Sequence, residues 1–173
     1  MAETKSYQQE TKLWHQLIEL EKAYLETRQN FLNSCNSRVS LIREALQNPT
    51  ERATALQIIN YLTLEERQSL FAELIKLASV GHSDIELVRN TILSFDKIWL
   101  IDQIDTYAEP LLTNGTDEEY RRLLELYIQI DDGLTETLVI RSLQQSDLQI
   151  QEVGEDFDKY LKTKLSSQMV AGN

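Results

Sequence analysis

"NGTDEEYRRLLELY" spans residues 114–127 and opens as a helix start. Thr116 stands where a cap belongs, and Glu119 follows three residues later. In such a pairing the hydroxyl accepts from an orphan backbone N–H, and the glutamate reaches back to the N–H of the cap. The same spacing recurs as Thr63 with Glu66, Ser83 with Glu86, and Ser146 with Gln149. Each pair precedes apolar residues at helical spacing, so each is read as a helix N-terminus.

Three of these starts are spaced like a repeat, 33 residues apart from Ser83 to Thr116 and 30 from Thr116 to Ser146. Counted from Asp117, apolar residues fall at offsets 3, 6, 10 and 13: Tyr120, Leu123, Tyr127 and Ile130. The same offsets from Asp147 give Ile150, Val153, Phe157 and Tyr160. "HSDIELVRNTILSF" (82–95) fits less well: counted from Ile85 it offers Val88, Phe95 and Ile98, with Thr91 interrupting. A second helix is expected between successive copies. "LEERQSLFAELIKLAS" (64–79) would bury Leu70, Phe71, Leu74 and Leu77. "KIWLIDQIDTYAEPLL" (97–112) would bury Ile98, Ile101, Ile104 and Leu111, with Pro110 kinking or ending it. "GLTETLVIRSLQ" (133–144) would bury Leu134, Leu138 and Leu143, and "ERATALQIINYL" (51–62) opens the first pair.

Paired helices at this period are the mark of an α-solenoid, in which each pair buries its apolar face on its neighbours. Residues 48–165 resemble the HEAT or armadillo class of repeat, through helix pairing, capping and apolar offsets. The Trp, Gly, Tyr and Pro positions of tetratricopeptide repeats are not found. The resemblance implies an all-α fold, a short right-handed solenoid of antiparallel helix pairs, with a surface that binds other proteins. Residues 166–173 read as a flexible tail.

Residues 1–47 form a separate N-terminal segment, either one long helix or a helical hairpin of about 5–32 and 36–47. Leu13, Leu17, Leu20 and Tyr24 lie on one helical stripe, which resumes at Phe31, Cys35, Val39, Ile42 and Leu46. "NSCNS" (33–37) is rich in residues that favour caps and turns. The stripe either folds back onto the remaining chain or joins two copies as a coiled-coil seam, giving a homodimer. The interruption over Glu26–Arg28 spoils a clean heptad and favours folding back.

Composition agrees with a helical protein. The 173 residues include only 2 Pro and 5 Gly, and no alternating β-branched run is present. The single cysteine, Cys35, excludes an internal disulfide. No secretory leader or apolar span is read, so a cytoplasmic protein without a membrane segment is expected. The net charge is −11, and residues 1–47 carry six Lys/Arg against six Glu, so the whole excess lies in residues 48–173. An acidic body repels phosphate backbones, which argues against direct nucleic-acid binding.

No catalytic constellation stands out. His15 and His82 lack the spacing of metal ligands, Cys35 sits on an apolar stripe, and no phosphate-cradling glycine loop occurs. "DDG" (131–133) lacks the remaining oxygens of a calcium loop and reads as a turn between paired helices. Gly154 inside a helix marks close approach of a neighbour. Trp99 is expected to be buried. No enzyme activity, metal or cofactor is therefore expected. The reading is a non-enzymatic adaptor or regulatory subunit that binds another protein of basic or mixed charge. The alternative is a structural or sensor subunit of a larger signalling NTPase or nucleoprotein complex. The candidate partner-binding residues are Trp14, an exposed anchor, and the acids Glu118, Glu119, Glu152 and Asp156.

Overall fold

The computed structural model describes residues 2–171, with side chains at 7–164 and 166. Among the described residues the chain forms ten α-helices and no strand. It divides into two compact units, Met1–Ile42 and Arg43–Asn173.

The first unit holds α1 (Ala2–Ser34) and the start of α2 (Arg38–Gln47). The break falls at Cys35, Asn36 and Ser37, inside the turn-forming stretch. There the Cys35 carbonyl accepts from the Arg38 guanidinium at 3.3 Å. Leu13, Leu17 and Leu20 are 60%, 57% and 60% exposed.

The second unit holds α3 (Arg52–Ile59), α4 (Leu64–Gln68), α5 (Phe71–Ala78), α6 (Ile85–Leu93), α7 (Lys97–Thr113), α8 (Asp117–Ile130), α9 (Asp132–Leu143) and α10 (Leu148–Ala171). α5 packs on α6, α7 and α8, while α3 packs on α6. α8 in turn packs on α7, α9 and α10, and α9 lies along α10. The single helix expected over 64–79 is two. Ser69 turns its hydroxyl onto the Glu66 carbonyl, and Arg43 takes the Ser69 carbonyl at 2.8 Å, which diverts both groups from a continuous ladder. α10 continues to Ala171, through most of the stretch read as a tail, and residues 172–173 lie outside the described residues.

Two capping boxes form as expected, Thr63 with Glu66 and Thr116 with Glu119. Two do not. Asp84 precedes α6 without a side-chain cap bond, and Glu86 turns to Arg89. Ahead of α10 it is Asp147, not Ser146, whose carboxylate accepts from Gln149 N–H. Aspartates cap two further helices: Asp96 accepts from Trp99 N–H, and Asp131 from Gly133 and Leu134 N–H.

The core gathers Leu70, Phe71, Leu74 and Leu77 with Val88, Ile104, Tyr120, Leu123, Tyr127 and Ile130, all buried. Phe71 is fully enclosed, with the rings of Phe95, Trp99 and Tyr107 edge-on at 5.2, 4.9 and 5.1 Å. Burial of such a ring contributes about 1.5–3 kcal/mol. The aromatic cluster sets the rotation of α7. Its buried residues are Leu100, Ile104, Ala108 and Leu112, in steps of four, and Ile98 is turned out to 80% exposure. Trp99, expected inside, is half-buried at the edge of the cluster. Leu143 and Tyr160 are likewise exposed rather than core. Pro110 does not end α7, which runs three residues further. A proline so near a C-terminus removes only one ladder bond.

Gly154 is buried on α10, and a Cβ there would meet Ser142 Cβ at 3.0 Å and Leu143 at 3.1 Å. The close approach expected of this glycine is therefore to α9. Gly154→Val is expected to lower stability by about 1–3 kcal/mol through overpacking. Urea denaturation read by circular dichroism measures it. Asp131→Ala is expected to cost about 0.5–2 kcal/mol in the same assay, as other cap deletions do.

Candidate partner-binding surfaces

The candidate residues fall in two places. Trp14 stands on α1 with 61% of its surface exposed, on the same helix as Leu17, Ile18 and Leu25. The four acids lie on α8 and α10 of the second unit, and three of them are engaged within the fold. Glu119 closes the capping box, accepting from Thr116 N–H at 2.8 Å and from its hydroxyl at 2.6 Å. Glu118 accepts from Gly81 N–H at 2.9 Å and so ties the α5–α6 loop to α8. Asp156 accepts from Arg121 at 3.1 Å and links α10 to α8. Glu152 is exposed.

Behind them lies a denser set of charges. Arg89 of α6 is buried, donating to Glu86 at 2.7 Å and to Glu125 of α8. Arg122 also donates to Glu125, at 3.0 Å. Burial disfavours the Glu125 charge, but the two guanidiniums outweigh it and hold the carboxyl below its ordinary range. Burial raises the Glu119 carboxyl, and the Thr116 hydrogen bonds bring it below normal. Glu109 of α7 is lowered chiefly by its hydrogen bond from Arg141 of α9.

Two of the concavities on the second unit are lined by described residues. One, of about 230 Å³, lies between α7 and α9 and is bordered by Asp105, Glu109, Thr137 and Arg141. The Tyr127 hydroxyl donates to Asp105 at 2.8 Å, and burial, then the Asp105 charge, pushes that phenol well above its usual range. The other, of about 330 Å³, is a groove between α9 and α10. Val139, Ile140, Leu143 and Leu161 give it an apolar lining. Asp132 with Lys164 and Asp158 with Lys162, each paired at 2.5 Å, supply charge along its sides. Ile140 and Leu143 are 49% and 38% exposed. Sequence reasoning missed this groove. Its signal was Glu136, Ile140 and Leu143, a second stripe on α9 apart from the buried Leu138.

The histidines and cysteine take local roles. His82 Nε2 lies 3.0 Å from the Leu77 carbonyl, and Nδ1 lies 3.1 Å from the Asp84 N–H. His15 is exposed on α1, and Cys35 occupies the α1–α2 break. Of the "DDG" stretch only Asp131 lies between α8 and α9, where it caps α9, and Asp132 and Gly133 already belong to α9. Among the described residues no group of three or more His, Cys, Asp or Glu could hold a metal ion. No helix among them is long and apolar enough to cross a membrane.

Comparison with protein-family models, with curated proteins and with solved structures finds no match.

The lowered carboxyls set an acid limit. Glu109, Glu119 and Glu125 titrate below their ordinary 4.5 when folded. The unfolded chain then binds more protons near that pH, so their stabilisation is complete above it and is lost as pH falls through the folded values. Melting temperature is expected to stay level near neutrality and to drop below about pH 4.5, with Glu125→Gln flattening part of that drop. Calorimetry across acid pH reads both.

Proposed function

We propose that this protein is a non-enzymatic adaptor or regulatory subunit, built as a short HEAT-like stack of antiparallel helix pairs and working in the cytoplasm. Supporting the stack is the packing of the second unit, in which α5 lies on α6, α8 on α9 and α9 on α10. The observation that carries the binding role is the α9–α10 groove, with apolar side chains left open and paired charges on its sides. Grooves of this composition suit an amphipathic helix or extended segment whose apolar anchors fill the floor. The partner is another protein of basic or mixed charge, since residues 48–173 carry the full net charge of −11.

A second reading is a constant subunit of a larger signalling NTPase or nucleoprotein assembly. It is favoured by apolar side chains left open elsewhere on the second unit, Ile98 at 80% and Leu148 at 76%.

The test is a tagged pull-down of the full chain from native lysate, with nuclease, quantified by mass spectrometry and mapped by crosslinking. The adaptor reading expects a stoichiometric partner that crosslinks along α9 and α10, weakens with salt, and falls at least tenfold with Ile140→Glu plus Leu143→Glu. A partner held equally by that variant sinks the groove as the docking site. A salt-resistant partner that crosslinks instead around Ile98 and Leu148 supports the constant-subunit reading.

A further inference from the structure

We propose that α1 is a self-association element, and that its open apolar face is covered by the α1 of a second copy of this chain. Four observations lead there, none of which involves the α9–α10 groove.

The first is the exposed face itself. Leu13, Leu17, Leu20 and Tyr24 are 60%, 57%, 60% and 38% exposed, on a helix of 33 residues. At 1.5 Å per residue that helix is about 50 Å long, enough to carry several coiled-coil layers. Leaving four large apolar side chains in line in water is unfavourable, by about 25 cal/mol for each Å² that a neighbour would cover.

The second is register. The steps from Leu13 through Leu17, Leu20, Tyr24 and Thr27 to Phe31 are 4, 3, 4, 3 and 4 residues, the alternation of a coiled-coil seam. Thr27 is the one polar member and the reason the stripe reads as interrupted. Its hydroxyl donates to the Ala23 carbonyl at 2.8 Å, so its hydrogen bond is made within its own helix. The methyl group is then free to stand in the seam, and the six positions run on without a buried polar cost.

The third is charge. One flank of the seam carries Trp14, Glu21 and Arg28, and the other Gln16, Ala23 and Asn30. Neither flank is a row of like charges, so a basic or acidic partner finds no matching field there. A second α1 meets no systematic repulsion. Residues 1–47 balance six Lys/Arg with six Glu, whereas the remainder of each copy carries −11. This segment is where two copies of an acidic chain can touch without stacking like charge on like.

The fourth is the width of the face. Trp14, Ile18 and Leu25 lie beside the seam at 61%, 41% and 44% exposure. They extend the apolar arc past the narrow seam of a two-stranded pair, so association can go past the dimer to a small bundle.

The experiment is sedimentation equilibrium of the full chain over a wide concentration range, at low and high salt. The expected result is a mass that rises from 20.1 kDa to at least twice that, with affinity unchanged or stronger in salt. Leu17→Glu with Leu20→Glu should weaken association at least a hundredfold and leave the melting temperature of the second unit unchanged. Ile98→Glu, an exposed change on α7, should leave association intact. A wild-type chain that stays monomeric throughout overturns the proposal. So does a double variant that associates as strongly as wild type, or association abolished by Ile98→Glu but not by the α1 changes.

Discussion

Asp131 is the constraint on which the second half of the molecule turns. It ends α8 and begins α9, so the two helices are joined through one extended residue. Its N–H donates to the Tyr127 carbonyl, its carboxylate takes the N–H groups of Gly133 and Leu134, and its carbonyl accepts from Thr135. A link this short leaves no slack between two helices, and it decides which faces of α8 and α9 can meet. α10 then lies against both, and the groove runs between α9 and α10.

Elsewhere the second unit is tied by charges placed between elements rather than along them. Arg43 reaches Glu73, Arg89 reaches Glu125, Arg141 reaches Glu109, and Lys164 reaches Asp132. Each joins residues about thirty positions apart, close to the spacing between the helix starts at Ser83, Thr116 and Ser146. Exposed pairs of this kind are screened by solvent and contribute little to stability. Arg89 differs because it is buried, and removal of Glu125 would leave a guanidinium away from water with one partner fewer. Charge therefore adds specificity to a fold whose stability rests on apolar burial.

Helix order was legible because punctuation is local. A threonine cap with a glutamate three residues later needs no information from elsewhere, and both threonine boxes form. The serine boxes fail for a reason equally physical. At each an aspartate follows the serine, and the helix begins one residue later, after Asp84 and after Asp147. The inward face of α7 was not legible, because two apolar stripes share that helix and only the Phe71 aromatic cluster chooses between them. Nor were the roles of the acids. Glu118, Glu119 and Asp156 look like free surface charge until the loop glycine, the cap threonine and Arg121 are brought to them. Trp14 was the easier reading, since a large ring near the start of a polar helix has few places to hide.

Gly154 carries a consequence of a different kind. With Ser142 and Leu143 about 3 Å from where a Cβ at position 154 would stand, these three positions share one fixed volume. No one of them can drift in sequence alone. A larger residue at 154 requires a smaller one at 142 or 143, and the groove beside Leu143 would change shape with the exchange. Across related chains the three positions should therefore vary together, so that the history of this helix pair is written as a correlated triplet rather than as three independent sites.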